Sequence, residues 1–148
     1  KFMLEDCLEE RFDFTGCKIA LICDGQVLTI LRDDKPTIPW SNMWELPGGG
    51  REGNESPFEC AAREVYEELK IQLSKDDIVW SGIYPSMLDE NKKSVFLVGK
   101  LTQEQFDSIT FGDEGQAYKL MNIEEFLTSS QVVPQLQGRL RDYLEEVR

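Results

Sequence analysis

Between Gly49 and Ile71 the chain reads GGREGNESPFECAAREVYEELKI, which sets Glu55, Arg63, Glu64, Glu67 and Glu68 at fixed intervals behind a glycine-rich turn. Pro57 suits the first position of a helix, and Asn54 and Ser56 are potential caps just before it. Phe58, Ala61, Ala62, Val65 and Leu69 recur at helical spacing and predict one apolar face. At about 100° per residue, Glu64, Glu67 and Glu68 fall within roughly a 100° arc of that helix. The apolar residues centre about 120° away, so burying the helix leaves the carboxylates facing a cleft. Like charges so spaced cost an isolated helix about 0.2–0.5 kcal/mol each, and a divalent cation would reverse that cost. Hard oxygen ligands suit magnesium or manganese, the ions on which phosphate chemistry most often depends. Arg63 can reach Glu59 or Glu67 one turn away and can orient Glu55; standing alone it would be an ordinary helix salt bridge.

The rest of the composition narrows the chemistry. The chain has 148 residues, 41% hydrophobic and 30% charged, which suits one domain spanning 1–148 with a buried core. Position 1 is lysine rather than methionine, pointing to N-terminal sequence beyond this chain. No apolar run approaches the length of a membrane span and no signal-like segment opens the chain, so no membrane partner is expected. Cys7, Cys17, Cys23 and Cys60 form no CxxC pair, and with no histidine to join them a structural zinc site is not expected. Scattered thiols in a domain with its own core predict reduced cysteines and a cytoplasmic protein. A net charge of -12 repels a nucleic-acid backbone, so no duplex partner is expected. The absence of histidine excludes Ser-His-Asp and Cys-His catalysis and leaves carboxylates, lysine, tyrosine or metal-bound water for hydrolysis.

Several elements must position the acidic helix. Residues 1–16 read as an N-terminal strand or short helix, an extension with Phe2, Leu4, Leu8, Phe12 and Phe14 as packing points. CKIALIC and QVLTILR flank Asp24-Gly25 and predict a hairpin whose first arm is buried on both faces. Residues 33–43, with two prolines, form a loop. A short strand over Trp44–Leu46 ends at Pro47, where the glycine triplet Gly48–Gly50 follows as a turn. Residues 77–84 and 94–101 read as strands joined by a polar loop. Thr102 and Asn122 are caps for short helices, a strand covers Ala117–Met121, and 134–147 form an amphipathic C-terminal helix. The order predicts a mixed α/β sandwich.

Taken with its flanks, the acidic segment resembles the signature of the Nudix hydrolase family, G-x5-E-x7-R-E-U-x-E-E-x-G-U, where U is a bulky aliphatic residue. The match runs through Gly49, Glu55, Arg63, Glu64, Val65, Glu67, Glu68 and Ile71, with Lys70 in place of the late glycine that would serve as a helix C-cap. Trp44–Gly49 is similar to the WEFPGG segment of MutT-like members, and Asp113–Gln116 to their EGQ segment. The likeness spans roughly residues 16–140. It implies an α/β (α+β) fold, the family's α/β/α sandwich with a central mixed sheet, and hydrolysis of a nucleoside diphosphate linked to another moiety. It also implies that Glu64, Glu67 and Glu68 ligate Mg2+ (or Mn2+) with the carbonyl of Gly48, and that Glu114 approaches from across the cleft as ligand or base. Glu64, Glu67, Glu114 and Arg63 are the catalytic candidates, supported by Gly49 and Glu55.

For the substrate, Arg32 at a strand end is a phosphate candidate, and Trp40, Phe111 and Tyr118 are possible stacking residues, with Trp44 mainly structural. Near the last helix MutT enzymes use an asparagine for oxidised guanine; Ser130–Pro134 has none, and Gln131 is its candidate substitute. The favoured expectation is a small-molecule nucleotide substrate, most readily a nucleoside triphosphate cleaved to the monophosphate and pyrophosphate. A nucleotide sugar, ADP-ribose or a dinucleoside polyphosphate is the alternative within enzymes, and a non-catalytic nucleotide-binding module is the alternative outside them. Oligomeric state is not legible in the sequence.

Overall fold

The computed structural model describes residues 4–147, so Phe2 lies outside the described residues. The chain opens with helix α1 (Leu4–Glu9), followed by strands β1 (Gly16–Cys23), β2 (Gln26–Leu31), β3 (Trp44–Glu45) and β4 (Gly48–Gly50). Helix α2 (Pro57–Leu69) follows, then β5 (Ile78–Pro85), β6 (Lys93–Lys100) and α3 (Gln103–Asp107). Strand β7 (Ala117–Asn122) and helices α4 (Ile123–Thr128) and α5 (Pro134–Glu146) complete the fold. The N-terminal segment is therefore helical, with Leu8 and Phe14 buried and Leu4 and Phe12 packed against the same core.

One seven-stranded sheet runs β3-β2-β1-β6-β5, with β4 paired to β1 and β7 to β2. The sheet is mixed because β1 and β6 are parallel while the other pairs are antiparallel. Two-residue periodicity sorts side chains onto its faces. Ile19, Leu21, Leu28, Val95 and Leu97 point to one core with Cys60, Ala61, Val65 and Leu69 of α2 and Cys7 and Leu8 of α1. Ala20, Val27, Phe96 and Val98 point to a second core with Phe126 of α4 and Leu136 and Leu140 of α5. Each fully buried leucine, valine or phenylalanine contributes about 1.5–3 kcal/mol through the apolar area it removes from water. The expected α/β/α sandwich is borne out by these two cores on opposite faces of one sheet.

Two local results bear on the site. The hairpin turns at Asp24 (φ 48°) and Gly25 (φ 77°), both left-handed, as a two-residue turn between twisted strands requires. The glycine triplet is not the turn expected from sequence: Gly48–Gly50 is itself a strand, paired with Gly16, Cys17 and Lys18 of β1. At Gly48 (φ 126°) a Cβ would overlap the Cys17 carbonyl. Bare backbone is the only chain that fits so close to β1. β4 thus carries the chain off the sheet and delivers it to the start of α2.

Candidate active site

Helix α2 begins with a full capping box: Ser56 accepts from the Glu59 amide and the Glu59 carboxylate accepts from the Ser56 amide. It ends at Lys70, which stands in the left-handed conformation (φ 60°, ψ 30°) and donates its N–H to the Tyr66 carbonyl. The departure from the family signature therefore keeps the glycine geometry without the glycine. An L side chain pays about 1–2 kcal/mol there, offset in part by Lys70 Nζ lying 5.1 Å from the Tyr66 ring centroid. Lys70→Gly is expected to raise stability by about 0.5–1 kcal/mol, read as an upward shift of the urea midpoint with an unchanged slope.

Arg63 is the hub of the site. Its Nε donates to Glu55 Oε2 at 2.7 Å and its Nη2 to Glu55 Oε1 at 3.1 Å and to the Gly50 carbonyl at 2.7 Å. Its Nη1 reaches Glu67 Oε1 at 3.2 Å, Glu64 Oε2 at 3.4 Å and Glu52 Oε2 at 3.4 Å. One guanidinium thereby fastens the 50–55 loop to the middle of α2 in a fork that lysine could not form. Of the two partners expected one turn away, Glu67 is engaged, whereas Glu59 pairs with Arg11 at 2.8 Å. Hydrogen bonding from Arg63 holds the Glu55 carboxyl below its usual range.

The three stripe carboxylates occupy different environments. Glu67 is the open one, its side chain 55% exposed. Glu64 lies over the backbone of Gly49, where a Cβ would overlap its carboxylate, and burial pushes its pKa up. Glu68 accepts the Gly48 N–H at 2.9 Å, and burial raises its pKa to about 7 against the lowering effect of Lys18. Two carboxylates whose charge is disfavoured by burial, beside a third that is exposed, form a hard-oxygen donor set that a divalent cation would stabilise. The donor chemistry fits such an ion. In this arrangement, though, Glu64 and Glu67 turn to Arg63, and among the described residues no three acidic or thiol ligands converge on one point.

The raised Glu68 pKa has a thermodynamic consequence. Unfolded, the group ionises near 4.5; folded, only near 7. Between those values the folded state holds the extra proton, so stability falls as pH rises through this window, by up to about 3 kcal/mol. Urea midpoints at pH 5 and pH 7.5 are expected to show this loss in the presence of a chelator. Glu68→Gln is expected to flatten it, and added Mg2+ to restore stability at pH 7.5.

Across the cleft, Thr110 and Gly112 donate backbone N–H groups to the Leu69 and Glu68 carbonyls, tying the 110–115 loop to the end of α2. Gln116 anchors its other end, donating to the Arg32 carbonyl at 2.7 Å and to Asn42 Oδ1 at 2.8 Å. Glu114 thereby lines a cavity of about 350 Å3 together with Glu68, Glu45, Arg32 and Lys35. The Gly48 carbonyl, expected as a metal ligand, accepts instead from Lys18 Nζ at 3.1 Å. Lys18 also bonds Glu45 Oε1 at 2.8 Å, and Arg32 Nη1 bonds Glu45 Oε2 at 3.1 Å, so Glu45 is a buried carboxylate bracketed by two cations. Arg32 is further held by the Pro39 carbonyl through Nε at 3.0 Å.

A second cavity, of about 380 Å3, shares Arg32 and Glu45 with the first and is lined by Trp40, Lys18, Ser94 and Arg139 among others. Trp40 is thus brought to the cleft; Tyr118 and Gln131 are not. Tyr118 packs against Phe106 and Phe111, with ring centroids 5.7 and 5.2 Å apart, in the α2-side core. Gln131 is exposed beyond the sheet edge and contributes its backbone carbonyl to the Trp44 N–H at 2.8 Å. Sequence reasoning passed over Lys18, Glu45, Ser94 and Arg139. Two signals were there to be read: a lone lysine inside the apolar run CKIALIC, and an arginine at a core position of α5 beside Leu136 and Leu140.

Solved structures share this architecture. A MutT protein from Methanosarcina mazei matches 94% of this chain and 98% of its own, at TM-score 0.70 and 21% identity. A bifunctional NMN adenylyltransferase/ADP ribose pyrophosphatase from Francisella tularensis, complexed with AMP and a manganese ion, matches 92% of this chain and 42% of its own, at TM-score 0.67 and 20% identity. The fold class is therefore that of the MutT and Nudix proteins. The chain itself belongs to the Nudix family, since the NUDIX domain profile matches residues 18–144. In sequence, a MutT-like protein of Streptomyces ambofaciens is 43% identical over 61 residues, covering 41% of this chain and 34% of that protein. The chain spans 26–50% of the length of the curated relatives it matches first.

Proposed function

We propose that the chain hydrolyses a phosphoanhydride bond in a nucleoside diphosphate-linked compound with Mg2+, and that its substrate is a nucleoside triphosphate cleaved to the monophosphate and pyrophosphate. The observation that carries this reading is the cavity shared by Glu68 of α2, Glu114 of the opposite loop and Arg32. It pairs carboxylates for a cation with guanidinium and ammonium groups for an anion. Glu64, Glu67 and Glu68 would hold the ion, with Glu114 completing the set. A divalent cation bound there supplies neutralisation of the diphosphate and a water that ionises more readily.

The chain's own groups do the rest. Arg32 and Lys35 face the phosphates from the cavity wall, and the Lys18–Glu45–Arg32 network keeps Arg32 oriented at low conformational cost. Arg63 fixes the 50–55 loop so that the Gly49 backbone and the Glu64 carboxylate stay in register. One of Glu64, Glu67 or Glu114 takes the proton of the attacking water. Four free, buried thiols support placing the protein in the cytoplasm, and no described helix is long and apolar enough to cross a membrane.

The test is a panel of nucleoside triphosphates, ADP-ribose, a sugar nucleotide and a dinucleoside tetraphosphate, incubated with Mg2+ and resolved by chromatography. A triphosphate is expected to be consumed fastest, with monophosphate as product. Binding of these compounds without any product would instead favour a nucleotide-binding module.

A further inference from the structure

Lys18 interrupts the apolar run of β1, and its side chain is only 16% exposed. It stands opposite Gly48 in the β1–β4 pair. Its Nζ donates to the Gly48 carbonyl at 3.1 Å and to Glu45 Oε1 at 2.8 Å. The Gly48 N–H is in turn accepted by Glu68 Oε1 at 2.9 Å. A single backbone residue thus joins the lysine to the acidic stripe. Burial disfavours charge on Glu68 and on Glu64, and in both the attraction of Lys18 works the other way. Arg63 engages Glu64 and Glu67 by hydrogen bonds, whereas Lys18 acts at the Glu68 end.

A largely buried ammonium is costly without acceptors. Those it has here, a carboxylate and a backbone carbonyl, are hard oxygens of the kind a divalent ion also takes. Two cations cannot draw on the same oxygens at full strength, because a unit charge a few ångströms away repels the second. Lys18 has somewhere else to go. Glu45 lines both cavities and already pairs with Nζ, so the ammonium can leave Gly48 and keep its ion pair. Arg32 holds the other oxygen of Glu45 at 3.1 Å, which keeps that acceptor in place. A compact ammonium on a flexible four-carbon stem can make this shift, and a rigid guanidinium fork cannot.

We propose that Lys18 is a built-in counter-ion of the cleft: its ammonium competes with a divalent ion for the Gly48 carbonyl and the charge of Glu68, and withdraws onto Glu45 when the ion binds. The inference rests on the divalent-ion reading above and adds the residue that sets the ion's affinity. Lys18 then has two effects of opposite sign. It stabilises the fold by relieving repulsion among Glu45, Glu64 and Glu68. It also weakens the hold of the same oxygens on an added cation. A purely structural lysine has only the first effect, and its removal would leave ion binding unchanged or weaker.

The test is calorimetric titration of Mn2+ alone into wild type, Lys18→Met, Lys18→Gln and Lys18→Arg, with thermal melts in chelator and in excess Mn2+. Both neutral variants are expected to bind Mn2+ about tenfold more tightly than wild type. In chelator they are expected to melt about 3–6 °C lower, and excess Mn2+ is expected to raise their melting temperatures more than that of wild type. Lys18→Gln keeps a donor for Glu45 and so separates lost charge from lost packing. Lys18→Arg keeps the charge and is expected to bind no more tightly than wild type. Should neither neutral variant fold, wild type still decides. Mg2+ is expected to shift the Lys18 side-chain NMR resonances, assigned by their absence from Lys18→Arg. Unchanged or weaker Mn2+ affinity in the neutral variants, no Mn2+ binding by any of the proteins, or unmoved Lys18 resonances would overturn the inference. Tighter Mn2+ binding with no nucleotide cleaved would retire the hydrolase reading and leave the counter-ion standing.

Discussion

Glu67→Gln is expected to lower turnover of the preferred nucleotide by about a hundredfold or more, with the melting temperature nearly unchanged. The Glu67 side chain is 55% exposed, and its hydrogen bond is to Arg63 Nη1 at 3.2 Å. Glutamine keeps that acceptor oxygen and the side-chain volume, so the fold loses at most a few tenths of a kcal/mol. What it loses is a full negative charge and a proton acceptor at the mouth of the acidic stripe. Such groups contribute roughly 10²–10⁴-fold when they act on the reacting atoms. The bland alternative, a solvated acidic face on an acidic protein, predicts that both turnover and stability stay put. Steady-state rates at saturating nucleotide, set beside a thermal melt, separate the two. An active Glu67→Gln enzyme would sink the role assigned to the stripe.

Arg63→Ala is expected to reduce both stability and activity, by about 2–3 kcal/mol and to near the detection limit respectively. The guanidinium, 20% exposed, ties Glu55, Gly50, Glu64 and Glu67 together. Removing it leaves two largely buried carboxylates, Glu55 (17% exposed) and Glu64 (18% exposed), with their charge uncompensated. Loss of one partner from a buried ionic network typically costs about 3–5 kcal/mol, and partial exposure lowers that figure here. For a chain of this size the change corresponds to a melting temperature lower by roughly 5–10 °C. Arg63→Lys is expected to fall between, since an ammonium cannot span both Glu55 oxygens and the Gly50 carbonyl at once. If Arg63→Ala melts like wild type, Arg63 is a surface ion pair and the loop is held by something else.

The readable parts of this protein were those set by local rules. The capping box at Ser56, the Pro57 start, the Asp24-Gly25 turn and the Thr102 and Asn122 caps each involve residues a few positions apart, and all appear where the sequence placed them. The acidic stripe is legible for the same reason, since helical periodicity alone puts Glu64, Glu67 and Glu68 together. What sequence could not show is set by partners far along the chain. The glycine triplet is a strand because β1 lies alongside it, a contact some 30 residues away in sequence. Tyr118 turns into an aromatic cluster because β7 pairs with β2 in a register that puts Tyr118 opposite Ile30 on the α2-side face. Lys18, Glu45, Ser94 and Arg139 come from four separate elements. Only the sheet and α5 bring them to one cleft.

The proposed activity is cleavage of a phosphoanhydride in this cleft under control of a divalent cation. Phosphorus NMR of nucleoside triphosphates incubated with the protein tests it most directly, once with Mg2+ and once with excess chelator. Nucleoside monophosphate and pyrophosphate are expected to appear together with Mg2+, and neither with chelator. Undiminished cleavage in chelator, orthophosphate as the first product, or no product from any nucleotide with Mg2+ would contradict it.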